Sequence, residues 1–275
     1  MGTAIGPAFV DFHVHASPSL IPRHSSDAEA VARHLALGAK QVVLKAHEGS
    51  TAERAATAGA IGGIVLNSPV GGANPSAVEV AARLGGRVVW MPTVSAPAHQ
   101  AAKADPQLSV HADMRFLPVP VLADGHVRPE WRDVLSLCVE HDLVLASGHL
   151  SASETLAVFT LARELGVERL LINHPQMPFL GWDEALLRRA TDVGAYAELS
   201  ILPDLLADGS QMTAFDLCDL FPTSHLVFGS DLGHAHYPPP EELLTGWFDR
   251  LARHVGDGPA GRILTDNGTQ LLGLS

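Results

Sequence analysis

Residues 8–15 read AFVDFHVH, and the run stops at once in Ala16-Ser17-Pro18. A short apolar run rich in aromatic and β-branched residues, closed by turn formers, is the pattern of a buried strand. Side chains alternate along a strand, so His13 and His15, two apart, point the same way at its C-terminal end. Asp11 has the same parity and is expected to hydrogen-bond a ligand imidazole from behind.

Seven more runs of this kind follow: QVVLKAH (41–47), GGIVLNSPV (62–70), RVVWMPTV (87–94), LVLASGHL (143–150), RLLINHP (169–175), AYAELSI (195–201) and HLVFGSDLG (225–233). Helical stretches separate them. Ser26–Glu29, Ser50–Glu53 and Ser151–Glu154 each have the spacing of a capping box, and Asn74-Pro75 reads as an N-cap with proline at the first helical position. Gly38, Gly85, Gly166, Gly194 and Gly256 stand where helices should end. Strands alternating with helices predict parallel pairing through right-handed crossovers.

From His13 to Asp231 is 218 positions, so seven units take about 31 residues each. One interval, Thr93 to His149, is 56 long, and its excess lies in residues 95–128, where PVPVLADGHV predicts a hairpin turning at Asp124-Gly125. The expected fold is α/β, a (β/α)8 TIM barrel formed as one domain over residues 1–275 with an insertion at about 95–128. A doubly wound sheet is the competitor, but neither GxGxxG nor a Walker loop occurs.

Composition narrows the partners. The chain has 275 residues, 47% of them apolar, enough for a large core and too many for a disordered segment. Eighteen basic residues against 30 acidic give a formal charge of −12, and the three lysines are Lys40, Lys45 and Lys103. Such a chain repels nucleic acid and anionic lipid, so neither is an expected partner. No apolar run is long enough for a membrane span, residues 1–12 lack the shape of a secretory leader, and Gly6 stands where a myristoylation signal wants Ser or Thr. The expectation is a cytoplasmic protein acting on a small molecule, with a homo-oligomer compatible. Cys138 and Cys218 fall inside helical patterns without a CxxC, so thiolate chemistry is not expected.

In a barrel of this type the active site lies at the C-terminal strand ends. The residues ending the apolar runs are His13, His15, Lys45, His47, His149, His174 and Asp231. Imidazoles and a carboxylate at one layer suit Zn, Mn, Fe or Ni, and unpaired burial of so many polar groups would be costly. A buried Lys45 in VVLKAH should have a depressed pKa, either serving chemistry or running its stem out to water. His47 either touches substrate or metal or hydrogen-bonds the rim. Glu198 is a candidate acceptor behind the ligands or a partner for a neighbouring helix. Arg23, Arg54, His99, His111 and Arg115 are candidate substrate contacts, and His234 and His236 sit on a solvated or substrate-side loop. Met177, Phe179, Leu180 and Trp182 in loop six want burial against substrate or a second subunit. His34, His141 and His254 read as surface residues. No GxSxG motif occurs, and neither cysteine ends a strand, so a serine or cysteine nucleophile has little support.

The D-x-H-x-H of strand one, the histidines ending strands five and six, and Asp231 in GSD of strand eight resemble the amidohydrolase superfamily of metal-dependent hydrolases, in a branch with LKxH on strand two. The likeness runs through the closing ILTDNGTQLLGL. It implies that His13 and His15 bind one metal, that His149 and His174 bind a second or act near it, and that Asp231 ligates and moves protons. It also implies a carboxylated lysine bridging two metals. That lysine usually ends strand four, which here reads WMPTV, so Lys45 is the candidate. The implied cofactor is one or two divalent ions, zinc first. The implied reaction is hydrolysis of an amide, imide or lactam by metal-activated water. The alternatives are a lactonase or phosphoesterase, a mononuclear decarboxylase or other lyase, and a non-catalytic metal-binding protein.

Overall fold

Each of the eight apolar runs becomes a strand in the computed structural model, which describes residues 7–105, 108, 111–207, 209 and 211–274. The reading of Gly2 and Gly6 lies outside the described residues. In chain order the strands are β1 (Phe9–Val14), β2 (Ala39–Leu44), β3 (Gly63–Val65), β4 (Val88–Trp90), β5 (Leu122–Ala123), β6 (His126–Val127), β7 (Val144–Ala146), β8 (Leu170–Ile172), β9 (Tyr196–Leu199) and β10 (Leu226–Phe228). β1 and β2 pair in parallel, and six strands form a second parallel sheet in the order β10-β9-β8-β7-β4-β3. The architecture is therefore α/β with parallel pairing.

The two sheets touch at both edges. Past β1, Val14 bridges Leu232 with His15 N donating to Leu232 O at 2.9 Å. On the other side Val43 bridges Ile61, and Leu44 N donates to Ile61 O at 2.8 Å. Val10, Phe12, Val43, Val65, Val88, Trp90, Val144, Ala146, Leu171 and Val227 pack into one apolar group with Leu271 and Leu272, and Tyr196 of β9 packs against it. A larger apolar group fills the space between the strands and the helices, including Phe9, Trp131, Phe159 and Trp247.

The helices begin largely where their caps predict. Ser26 and Ser151 form reciprocal capping boxes with Glu29 and Glu154 on α1 (Asp27–Ala36) and on the helix Ala152–Leu165. Asn74 caps Pro75–Arg83 by accepting from Ala77 N. The third expected box does not form. The helix Ala52–Ala58 starts from Thr51 with no side-chain cap, because Thr51 Oγ1 is drawn inward to Leu44 O (2.7 Å) and Gly63 N (3.0 Å). β5 and β6 form the expected antiparallel hairpin, with Asp124 and Gly125 both left-handed at φ 50° and 79°. Both cysteines are buried, and burial pushes each thiol up to about 12, so neither is a thiolate. Among the described residues no helix is long and apolar enough to cross a membrane.

Candidate metal centre

β1 delivers His13 and His15 to the strand ends, but strict alternation does not hold along it. The register with β2 shifts between Asp11 and Val14, and Asp11, which parity put on the face of His13 and His15, parts from them. His13 turns into the cluster. Asp11, expected behind a ligand imidazole, instead accepts from the backbone N–H groups of His13 (3.0 Å) and Ser230 (2.9 Å) and faces His34 Nε2 at 3.3 Å. His34 is thus no surface residue but 1% exposed. Burial lowers its pKa, yet the facing Asp11 carboxylate outweighs this and holds it above the ordinary value.

The cluster itself is tight. His13 Nε2 lies 3.2 Å from His15 Nε2, 3.0 Å from Asp231 Oδ1 and 3.0 Å from Lys45 Nζ. His15 Nε2 is 3.2 Å from the same Asp231 oxygen. One ligand atom each from His13, His174 and Asp231 lies within 4.8 Å of the other two. Ligand atoms on a tetrahedral zinc are about 3.3 Å apart, given bonds of roughly 2.0–2.1 Å.

Behind the cluster, hydrogen bonds set the tautomers. His13 Nδ1 faces Glu198 Oε1 at 2.8 Å and His15 Nδ1 faces the Lys45 carbonyl at 3.0 Å, both acceptors. Each ring therefore carries its proton on Nδ1 and turns a lone pair from Nε2 toward the other. Two lone pairs and a carboxylate converging within 3.2 Å leave room for a cation at their meeting point. Glu198 is held in turn by Ser200 Oγ and Asn173 Nδ2, both at 2.8 Å. His174 Nδ1 is buried without a partner among the described residues. His174 and Asp231 have left-handed backbones, φ 27° and 57°, unusual for non-glycine residues.

Burial sets the charge states. It pushes Lys45, 1% exposed, down to about 8 against the pull of Asp231 and Glu198. It drives His15, His47, His111 and His149 well below the ordinary imidazole range and takes His174 and His99 to about 4. Burial would raise Asp231, but the imidazoles of His13 and His15 that face it hold its carboxyl well below the usual range. His15, His47, His99, His111, His149 and His174 are thereby neutral imidazoles around or near a carboxylate, the protonation states metal binding requires.

A cavity of about 510 Å³, counting its open mouth, stands over His15, His47, His149, His174 and Asp231. Leu108, Met177, Phe179, Leu202 and Leu206 form an apolar wall, and Arg23, His111, His234 and Tyr237 line it as well. Arg23 Nε donates to Ser19 Oγ at 3.2 Å, whereas its Nη2 is buried with no partner among the described residues. His149 Nδ1 lies 2.8 Å from His99 Nδ1, so His99 supports the site from outside this cavity. His149 stands off the metal group, with its ring 5.1 Å from that of His174.

Three further expected substrate contacts, Arg54, Trp182 and Arg115, lie elsewhere. Arg54 forks onto Asp27 at 2.6 and 2.7 Å and donates to the carbonyls of Pro18 and Ala16, so it ties loop one to the second helix. Trp182 is 9% exposed and packs into the core away from the cavity. Arg115 lines a separate groove with His99 and Lys103. His236 is exposed although His234 lines the site. His141 and His254 pair with Glu79 and Asp219.

Asn67, Thr93 and Asn173 escaped the sequence reading. All three end apolar runs, as VLN, MPT and LIN. Asking for amides and hydroxyls at those positions, as well as titratable groups, would have found them.

The profile of a family of unknown function, DUF6282, matches residues 8–198. The chain belongs to DUF6282. The matched segment holds every proposed ligand of the DUF6282 site except Asp231, which lies beyond it. No curated protein matches the DUF6282 chain in sequence. Among solved structures it is similar to two proteins assigned as 2-pyrone-4,6-dicarboxylic acid hydrolase. The one from Acinetobacter baumannii is 14% identical over 97% of this chain and 99% of the other, with a TM-score of 0.64. The one from Pseudomonas putida is 16% identical over 96% and 97%, with a TM-score of 0.61. A variant of organophosphorus hydrolase from Deinococcus radiodurans aligns at 12% identity over 98% and 93%, with a TM-score of 0.50. At such identities the likeness is one of fold.

Proposed function

We propose that this DUF6282 chain is a metal-dependent hydrolase of the amidohydrolase type, built on a closed (β/α)8 barrel with residues 95–128 inserted after the fourth parallel strand. The bridges Val14–Leu232 and Val43–Ile61, and an apolar group fed by all eight parallel strands, support closure. The observation that carries the function is the pair of Nε2 lone pairs of His13 and His15, meeting at 3.2 Å beside the Asp231 carboxylate. With His174 these residues would hold a divalent ion, zinc first and Mn, Fe or Ni as alternatives, and Lys45 and His149 complete the set.

When bound, such an ion supplies Lewis acidity and makes water a competent nucleophile near neutral pH. Asp231 takes the proton of the attacking water on the carboxylate oxygen turned away from His13 and His15, then returns it to the leaving nitrogen or oxygen. The apolar wall of Leu108, Met177 and Phe179 excludes bulk water from the scissile bond. Arg23 offers its free Nη2 to a substrate carboxylate. The substrate is a small carboxylate-bearing amide, imide or lactam. A carboxylate-bearing lactone is the second reading. Arg23 favours an acidic substrate, and the Acinetobacter and Pseudomonas proteins of like fold are named for a cyclic ester with two carboxylates.

The test is metal per chain by elemental analysis, on protein purified without chelator and with bicarbonate, alongside hydrolysis of a panel of carboxylated lactams and lactones. Two metals that fall on Lys45→Ala make Lys45 a carbamate bridge, and one metal unchanged by that substitution makes it an amine beside a mononuclear site. Asp231→Asn should lower kcat by a factor on the order of 10²–10⁴ while removing far less of the metal. Near wild-type turnover in that variant excludes the proton role of Asp231. Absence of metal after reconstitution overturns the proposal.

A further inference from the structure

His47 lines the cavity beside the cluster, its ring 5.0 Å from that of His15 and 5.6 Å from that of His149. Its position invites a place among the ligands. The hydrogen bonds behind it point to a different task.

Asn67 is the hub of those bonds. Its Oδ1 accepts from the backbone N–H groups of Thr93 (2.8 Å) and Ser95 (3.0 Å), which leaves no ambiguity about which side of the amide is oxygen. Its Nδ2 must then donate, to His47 O at 2.8 Å and to Thr93 Oγ1 at 2.7 Å. Thr93 Oγ1 thus accepts from Asn67 and keeps its own proton to give away. Among the described residues its other contact is His47 Nδ1 at 2.9 Å. Thr93 is 0% exposed, so water is not at hand to accept the proton, and a stranded buried hydroxyl proton is costly. His47 Nδ1 is therefore the acceptor and the ring proton sits on Nε2.

We infer that His47 is held by Asn67 and Thr93 as a hydrogen-bond donor, presenting Nε2–H to the cavity beside the metal cluster for the substrate oxygen that gains charge during hydrolysis. This rests on the hydrolase reading for its purpose, though not for its geometry. His13 and His15 have acceptors behind Nδ1 and turn bare nitrogens forward, whereas His47 has a hydroxyl donor behind Nδ1 and turns a proton forward. Neighbouring histidines are thereby sorted into ligands and donor by what lies behind them. A fixed donor aimed at a developing oxyanion acts without reorganisation at the moment of reaction. Thr93 and Asn67 are positioning residues.

The tautomer is read directly by nitrogen-detected NMR of the full chain labelled at histidine with 15N, first stripped of metal and then loaded with zinc. The His47 signals are those lost in His47→Gln. The expected result is a neutral ring protonated at Nε2 in both states, retained in Thr93→Ser and converted to a tautomer mixture in Thr93→Val. A proton on Nδ1 in the wild type overturns the inference, and so does loss of the Nε2 proton on zinc loading, which would make His47 a ligand. A chain that neither takes up zinc nor turns over substrate defeats the hydrolase reading separately, because the metal-free spectrum still reports the tautomer.

Discussion

The histidines of this chain differ in what faces their two ring nitrogens: Nδ1 of His15 and of His34 both meet a backbone carbonyl, yet Nε2 of His15 turns to the cluster and Nε2 of His34 to Asp11. His13 leans on the Glu198 carboxylate, buried at 0% exposure, and this contact fixes the tautomer. Glu198→Gln should therefore weaken zinc binding by roughly 10–100-fold with little change in folded structure, measured by competition with a chromogenic chelator. His34 does neither ligand nor donor work. It forms a buried ion pair with Asp11, close at 3.3 Å though not aligned as a hydrogen bond, and its pKa is raised. A raised folded-state value means that its contribution is fully present below the unfolded value of about 6.5 and is lost as pH climbs through the folded one. The stability gap between wild type and His34→Gln in urea should be wider at about pH 6 than at about pH 9. A gap that is flat or grows with pH contradicts the pairing. Sequence alone made His34 a surface residue, because its helical position says nothing about a carboxylate arriving from β1.

At the scale of elements, local chemistry settles some boundaries, and tertiary contacts overrule it at others. Ser151 and Ser50 stand in the same S-x-x-E pattern, yet only Ser151 builds the box. Thr51 beside Ser50 is pulled into the junction of β2 and β3 by Leu44 O and Gly63 N, and the start of its helix moves with it. Ser151→Ala should cost about 1 kcal/mol of unfolding free energy, whereas Ser50→Ala should fall within about 0.5 kcal/mol of wild type in denaturant titrations. All eight strands were legible, since each is a short apolar run closed by turn chemistry. The register shift in β1 was not. Period-two parity assumes an unbroken ladder, and the break between Asp11 and Val14 is a matter of pairing with β2.

For the molecule as a whole, the decisive seam is where the last strand meets the first. Gly233, at φ 114°, follows Asp231 and Leu232 there, and a Cβ on it would stand 1.8 Å from the carbonyl oxygen of His15. Backbone cannot yield as a flexible side chain can, so the strands would have to part beside Asp231. Gly233→Ala should lower Tm markedly and cut metal content even in the fraction that folds, read by thermal melts and elemental analysis. Unchanged melting and full metal content would show that the seam tolerates separation.

The sequence by itself determined the alternation of strands and helices, the parallel α/β class, the hairpin at Asp124-Gly125, and the titratable residues that gather at the strand ends. These follow from periodicity and turn chemistry, which act over a few residues. Tertiary structure alone decided that Arg54 ties a loop together, that Trp182 packs in the core, that Asp11 serves His34, and that Asn67 and Thr93 orient His47. Each of these depends on partners from 20 to more than 100 positions away or on exact pairing between strands. A side chain's role follows from what faces it, and only folding brings those groups face to face.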